Sequence, residues 1–260
     1  MPYSDYLHLP ELLACQQPLT GEHDELLFIV VHQTSELWLK QAVHELRAVI
    51  AHVRSGELEP AFKMLARVGR LQHHLIETWE TLTTMTPADY LRFRDALGSS
   101  SGLQSHQYRL FEFLLGAKDA SKLELYRAEP LAHDVLAAAL EAPSLYDETV
   151  RLLARRGFEI PPDRLERGDW TAPYEPSEAV ETAWLRVYRD VGTYWDLYEL
   201  AEKLVDVEYR FHQWRFAHMK TVERVIGFRH GTGGSTGVPY LARSLERHFF
   251  PELFTVRTRM

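Results

Sequence analysis

Long stretches of this sequence place apolar side chains at helical spacing. Within His23–Val53 they recur at steps of four and three residues, which puts them on one face of an α-helix. A similar stripe occupies Val180–Val205, and a third follows at once in Phe211–Val225. Few segments alternate apolar and polar residues over the length of a strand, so any sheet is at most peripheral.

Shorter helical patterns and clear breakers complete this picture. The shorter patterns occupy residues 58–83, 104–115, 130–140 and 144–156. Thr86, Pro87 and Asp89 predict a helix start, with a threonine N-cap, proline at the first position and an acid at the third. Glycine and proline interrupt the helices at residues 98–102, 161–176 and 231–237. We therefore predict an all-α, single-domain helical bundle over residues 1–260, with its ligand site between helices.

Composition excludes several classes of protein. The net charge of −8, from 29 basic and 37 acidic residues, disfavours binding to nucleic acid. A single cysteine, Cys15, rules out an internal disulfide and any cysteine-based metal cage. The sequence has no apolar run long enough for a membrane span and no basic, apolar leader at its start. We expect no membrane partner and a cytoplasmic location.

Several common catalytic motifs are absent, or lie in a sequence context that does not suit them. The segment GSSSG at residues 98–102 fits the pattern of a serine hydrolase, but a helix precedes it where that motif needs a strand. The segment GTGGSTG at residues 231–237 lacks the lysine of a phosphate-binding loop. No H-E-x-x-H motif occurs, and no histidine has a glutamate three residues before it, which disfavours zinc-protease and di-iron sites.

Two histidines lie within apolar helical stretches. His218 follows Trp214 by one turn, and a histidine there is either a core side chain bonded to a carbonyl or an axial ligand of haem iron. His32 lies one turn after Phe28, so both side chains face the same way. The polar run HQTSE that begins at His32 is either a structural hydrogen-bond network or the floor of a pocket.

Two further features have a structural and a functional interpretation. Tyr90 and Arg94 are one helical turn apart, and arginine is well suited to bidentate binding of a carboxylate. Arg94 is otherwise a surface residue whose stem covers Tyr90. The segment Gly231–Gly237 is either a mobile loop that closes over a ligand or a plain connection.

Several segments, in order along the chain, resemble the tryptophan 2,3-dioxygenase family. They are HDELLFIVVHQTSELWLKQ, TPADYLRFRDALGSSSGLQSHQYR, RFAHMKTVERVIG and GTGGSTGVPYL with FFPELFTVRT. The resemblance extends from Tyr3 to Thr258. It implies long helices enclosing a haem pocket and a homotetramer built as a dimer of dimers. The implied enzyme uses ferrous haem b to insert O2 across the indole C2–C3 bond of L-tryptophan. The product is N-formyl-L-kynurenine, in the first step of tryptophan catabolism by the kynurenine route.

The resemblance also implies roles for individual residues. His218 matches the axial ligand of the iron, and His32 matches the catalytic, substrate-binding histidine that meets the indole N–H. Arg94 with Tyr90 matches the clamp on the substrate carboxylate. The other matched residues are Phe28 beside the indole, Thr232 near the amino-acid end of the substrate, Ser101 and Gly102 near the oxygen site, Trp79 in the haem pocket, and Tyr3 and Tyr6 reaching a neighbouring subunit's pocket.

Some alternatives are distinguishable only by experiment. His32 is either a general base, worth about 10²–10⁴-fold, or a positioning group worth about 1–3 kcal/mol. We expect positioning, because the indole N–H is a very weak acid. A haem sensor or carrier, a metal-free scaffold protein and an indole-oxidising dioxygenase of broader range also fit parts of the pattern. Product formation, a Soret band and a panel of indole substrates separate them.

Overall fold

The fold, taken from a computed structural model, is described for residues 1–260. It contains thirteen α-helices, four short 3₁₀ helices and no β-strand, which confirms the predicted all-α class. The first seven helices are α1 (Tyr3–Tyr6), α2 (Leu9–Leu13), α3 (His23–Ser55), α4 (Leu58–Leu82), α5 (Pro87–Phe93), α6 (His106–Leu115) and α7 (Pro130–Glu141). The remaining six are α8 (Leu145–Arg155), α9 (Pro162–Leu165), α10 (Glu178–Arg189), α11 (Trp195–Ile226), α12 (Val238–Ser244) and α13 (Pro251–Thr255). The 3₁₀ helices span Arg94–Leu97, Gly102–Gln104, Ala120–Tyr126 and Val256–Thr258.

Three long helices form the centre of the bundle. α4 packs against both α3 and α11, and α6 and α8 pack against α3. The stripe predicted on α3 is buried as expected, from Leu39 to Val53. Together with facing side chains of α4 and α11 it belongs to one continuous cluster of buried apolar residues. Removal of this apolar surface from water is the main source of stability for such a bundle.

The stripe predicted over Val180–Val205 is not one helix, and this part of the prediction is wrong. α10 ends at Arg189 and α11 begins at Trp195. The connecting turn is closed by Asp190, whose side-chain oxygen accepts a hydrogen bond from the backbone N–H of Thr193 at 3.3 Å. The later part of this stripe and the stripe at Phe211–Val225 instead form the single 32-residue helix α11.

Helix ends follow the local sequence signals. Thr86 caps α5 as predicted, and its side chain and that of Asp89 satisfy each other's backbone N–H groups in a capping box. α3 is closed by Gly56, the residue after Ser55, whose φ of 83° is readily adopted only without a side chain. None of the helices combines the length and apolar character needed to cross a lipid bilayer.

Candidate functional site

A cavity of about 460 Å³ lies between α3, α4 and α11. Residues 97–105, α6 and residues 231–247 supply its other walls. The volume falls within the range of roughly 300–1,000 Å³ that small-molecule sites occupy. Eight of the eleven residues predicted for the site line this cavity: Phe28, His32, Trp79, Tyr90, Ser101, Gly102, His218 and Thr232.

His218 lies near the C-terminal end of α11 and faces the cavity. The Trp79 ring from α4 stacks on its imidazole, with centroids 4.5 Å apart and planes 12° apart. Burial, together with a smaller contribution from the charge that His32 carries when protonated, lowers the pKa of His218 to about 4. At neutral pH the imidazole is therefore uncharged and holds a nitrogen lone pair, which is the form that binds a metal ion.

Polar atoms around His218 have no partner within the chain. The imidazole makes no hydrogen bond, so the alternative of a core histidine bonded to a carbonyl does not describe it. The indole N–H groups of Trp79 and Trp214 are also buried and unpaired. Because buried polar groups are normally satisfied, this cluster indicates a site that a bound group completes.

His32 presents a defined tautomer to the cavity. Its Nδ1 lies 2.7 Å from the carbonyl oxygen of Phe28, one turn earlier on α3. Because a carbonyl only accepts, Nδ1 carries the proton and Nε2 is left as an acceptor. Burial lowers the pKa of His32 despite that hydrogen bond and the nearby charge of Glu36. The Phe28 ring packs 4.2 Å from the imidazole, so both side chains face the same way, as the spacing predicted.

The polar run after His32 is satisfied locally. Thr34 and Ser35 donate to carbonyl oxygens one turn earlier, at 2.7 and 2.9 Å. The backbone carbonyl of Glu36 accepts from the side chain of Gln107 at 2.8 Å. Both interpretations of this run therefore hold in part, because hydrogen bonds offset the cost of its burial while His32, Ser35 and Glu36 also line the cavity.

Arg94 lies beside the cavity and is tied to the glycine-rich segment. Its Nη2 donates to the carbonyl oxygen of His230 at 3.0 Å, and its Nε is buried without a partner. Tyr90 does line the cavity. Burial raises the pKa of the Tyr90 hydroxyl, while the charge and a hydrogen bond of Arg94 act in the opposite direction. The Arg94 guanidinium thus lies next to Tyr90 and keeps an N–H group that can donate a hydrogen bond to a ligand.

The two glycine-rich segments contact each other across the mouth of the site. The hydroxyl of Thr232 donates to the carbonyl oxygen of Ser100. Gly233 approaches Ser101 so closely that a Cβ on it would lie 2.6 Å from the Ser101 Cβ. Ser101 in turn caps the short helix Gly102–Gln104. Glycine at 233 is therefore required for this close approach.

Sequence reasoning missed a charged network at the α6 side of the cavity. Glu112 accepts hydrogen bonds from Arg109, from Arg215 at 2.7 Å and from the Tyr108 hydroxyl at 2.7 Å. Two guanidinium groups thus face one carboxylate, and the Nε atoms of both arginines are buried and unpaired. Arg243 and Arg247 line the same region. The only sequence signal was the pair Arg109 and Glu112 within the apolar pattern of α6.

Tyr3 and Tyr6 do not line the cavity. They lie on α1, where their side chains are 74% and 72% exposed. Within a single chain these two tyrosines therefore take no part in the site.

Comparisons with known proteins cover the whole chain. The family model described as Tryptophan 2,3-dioxygenase matches residues 1–260. A protein of that name from Bacillus thuringiensis (strain Al Hakam) is 54% identical over 260 residues, which is all of this chain and 93% of that protein. The tryptophan 2,3-dioxygenase of Burkholderia pseudomallei (strain 1106a) is also 54% identical over the whole chain and 85% of its own length. That of Bacillus anthracis is 53% identical, with 93% of its length matched. The family model and the identity over the full length establish that this chain belongs to the tryptophan 2,3-dioxygenase family.

Proposed function

We propose that the protein is a haem-dependent dioxygenase that converts L-tryptophan and O2 into N-formyl-L-kynurenine, the first step of tryptophan catabolism by the kynurenine route. The observation that carries the proposal is the pair His218 and His32 on one cavity. His218 is neutral at pH 7 and has no hydrogen bond, and His32 presents an acceptor nitrogen. A side chain able to hold haem iron and a hydrogen-bond acceptor on the same cavity would suit an oxygen-using haem site.

The residues present fit haem b. His218 would bind the iron, with Trp79 and Trp214 beside its ring. Arg243 and Arg247 line the cavity on the α12 side, and their positive charges suit the two carboxylates that haem carries. Ferrous haem held by His218 would supply the chemistry that activates O2 for reaction with the indole. No net electron is consumed, so the reaction needs no reductase or nicotinamide.

The protein side chains would hold tryptophan by its two chemically distinct ends. Arg94 and Tyr90 would bind the carboxylate, using the donor capacity that Arg94 retains. Phe28 would pack against the flat indole, with Ser101 and Gly102 near the oxygen site. Thr232 lies on the segment that meets Ser100, which supports a position near the amino-acid end of the substrate. This arrangement would hold the indole in place while the closed glycine-rich segments exclude water.

His32 would act by positioning. Its neutral Nε2 would accept the indole N–H, so His32→Ala should keep measurable turnover with kcat/KM reduced about 5- to 150-fold, the equivalent of about 1–3 kcal/mol. Since burial lowers the pKa of His32, the acceptor stays unprotonated as the pH falls through 6.5. The acid limb of kcat/KM should therefore lie below pH 6.5. Complete loss of turnover in His32→Ala, with haem and tryptophan still bound, would instead favour an obligatory base.

The segment Gly231–Gly237 would act as a lid. Tryptophan should slow hydrogen exchange in this segment, because the substrate adds contacts to a loop held by few backbone hydrogen bonds. Gly233→Ala should raise KM for tryptophan several-fold without loss of haem, since its Cβ would displace Ser101. Gly21→Ala is the matched control, because nothing lies within 4 Å of a Cβ there. Equal exchange with and without tryptophan would argue against a lid.

The assembly would be a homotetramer in which Tyr3 and Tyr6 reach the cavity of a neighbouring subunit. Their high exposure in the single chain supports this arrangement. Sedimentation should give the mass of four chains, and replacing both tyrosines with alanine should raise KM for tryptophan. An unchanged KM in a tetrameric double variant would contradict the shared pocket.

Residues 1–260 would act as one domain, as their continuous apolar cluster supports. A cytoplasmic location would suit Cys15, which is exposed and forms no disulfide.

The decisive experiment is a reaction of the reduced, haem-loaded protein. Its spectrum is recorded without oxygen, and tryptophan and air are then added while product absorbance is followed. Product should form with L-tryptophan and far more slowly with tryptamine or indole, because only the amino acid offers a carboxylate to Arg94. A Soret band without product would indicate a haem carrier or sensor. Equal rates on all three compounds would indicate a dioxygenase of broader range.

A further inference from the structure

A second cluster of metal-binding side chains lies outside the cavity. Glu208 and His212 are one turn apart on α11, and His248 lies between α12 and α13. Their ligand atoms, one carboxylate oxygen and two imidazole nitrogens, all lie within 4.8 Å of one another. None of the three residues lines the cavity. The dioxygenase chemistry therefore makes no use of them.

Glu208 is held in one orientation. It is fully buried, and its Oε2 accepts the backbone N–H groups of Phe249 at 3.1 Å and Phe250 at 2.9 Å. Its other oxygen, Oε1, lies 2.5 Å from Nδ1 of His248 and 3.9 Å from Nε2 of His212. Hydrogen bonds of this kind to one carboxylate oxygen preorient the other as a metal ligand.

The two imidazoles converge on that oxygen. Their ring centroids are 5.3 Å apart and their planes 73° apart, so the rings do not stack. His212 Nε2 donates to the carbonyl oxygen of Arg247 at 3.0 Å, so an ion bound at this nitrogen would replace the donated proton. The His248 ring packs against Phe254. The His248 side chain is 43% exposed. The cluster thus has two oriented rings and an opening to solvent through which an ion can enter.

The donor set matches a particular ion. Two imidazoles and one carboxylate are the protein ligands of many zinc sites, with water in the fourth position. Ligands about 2.0–2.1 Å from a tetrahedral ion lie roughly 3.3 Å apart, so a small shift of His212 and His248 would complete the geometry. The charge of the buried Arg215 acts on both His212 and His248. Arg215 is paired with Glu112 at 2.7 Å, which reduces its repulsion of an ion here.

We propose that Glu208, His212 and His248 form a Zn²⁺ site that is separate from the haem cavity. Three protein ligands and one solvent molecule would surround the ion. Because two ligands belong to α11 and the third to the segment before α13, the ion would clamp the C-terminal segment onto α11. Zn²⁺ bound only to the folded chain would raise its stability by mass action.

The test uses the haem-loaded protein after removal of loosely bound metal with a chelator. Zinc per chain is measured by elemental analysis beside iron, and Zn²⁺ affinity by titration calorimetry. The wild type should bind one zinc per chain and unfold at a higher temperature with Zn²⁺. His212→Gln and His248→Gln should each weaken binding on the order of a hundredfold or more, because loss of an outer partner alone costs roughly 10–100-fold. His44→Gln, at an exposed histidine of α3, should bind like the wild type.

The histidine variants are chosen because they keep the backbone contacts of Glu208 intact. Equal zinc affinity in the wild type and in the variant that carries both His212→Gln and His248→Gln would overturn the proposal, as would binding of less than one zinc per wild-type chain. The result is independent of tryptophan turnover. An inactive protein that binds zinc through these residues would contradict only the proposed enzyme function.

Discussion

Replacing His218 with alanine is expected to remove haem from the protein and with it all dioxygenase activity. The imidazole is the one metal-binding side chain on the α11 wall of the cavity, and Trp79 and Trp214 beside it offer only indole groups. Haem affinity should fall on the order of a hundredfold or more, since even the loss of an outer partner of a metal ligand costs roughly 10–100-fold. Iron content and the Soret band after haem supplementation measure the effect.

The haem-free form of His218→Ala should remain folded, because the ring makes no hydrogen bond that the substitution would break. Haem at a hundredfold excess over the wild-type Kd should stabilise the wild type by about 2.7 kcal/mol and the variant by no more than about 0.4 kcal/mol. Added imidazole should restore part of the Soret band by occupying the space of the lost ring. His44→Ala serves as the control. A His218→Ala protein with full haem content and turnover would overturn the proposed function.

Replacing Arg94 with alanine should give the second-largest effect. The guanidinium has an unpaired buried Nε beside Tyr90, and a bidentate pair with a carboxylate is among the stronger protein hydrogen bonds. We expect kcat/KM for L-tryptophan to fall about 30- to 1,000-fold, the equivalent of about 2–4 kcal/mol. Haem content should not change, because the side-chain contacts of Arg94 are with Tyr90 and the carbonyl oxygen of His230 rather than with the residues that would hold haem.

The control for Arg94→Ala is a second substrate, tryptamine, rather than a second protein variant. Tryptamine lacks the carboxylate, so its slow oxidation should differ little between the wild type and the variant, and discrimination between the two compounds should largely disappear. Arg94→Lys should recover only part of the loss, because an ammonium group cannot form the planar, two-point contact. Normal use of tryptophan by Arg94→Ala would refute the clamp.

Arg94 has two proposed roles, one at the substrate carboxylate and one at the glycine-rich segment. Its Nη2 holds the carbonyl oxygen of His230, which immediately precedes the glycine-rich segment. Loss of the side chain would therefore loosen the lid as well as remove a carboxylate partner. Hydrogen exchange of residues 231–237 separates the two effects, since only the lid contact changes in the absence of tryptophan.

Short sequence patterns correctly predicted the helices and helix ends that depend on interactions between neighbouring residues. The periodic stripe of α3, the capping box at Thr86 and the glycine stop at Gly56 each depend on residues within one or two turns. The break at Asp190 was missed, because the apolar period continues through it and only a short turn interrupts the helix. The resemblance to a known family supplied what periodicity could not, namely a function for His218, His32 and Arg94.

The sequence by itself determined that the chain is helical, because residue type and short spacing carry that information, and its resemblance to a known family supplied the roles proposed for His218, His32 and Arg94. Only the tertiary structure decided which polar atoms lack partners and which distant residues meet. Glu112 receives Arg215 from 103 positions away, and His248 reaches Glu208 across 40. Such contacts arise when apolar faces of separate helices pack together, so no local pattern in the chain records them.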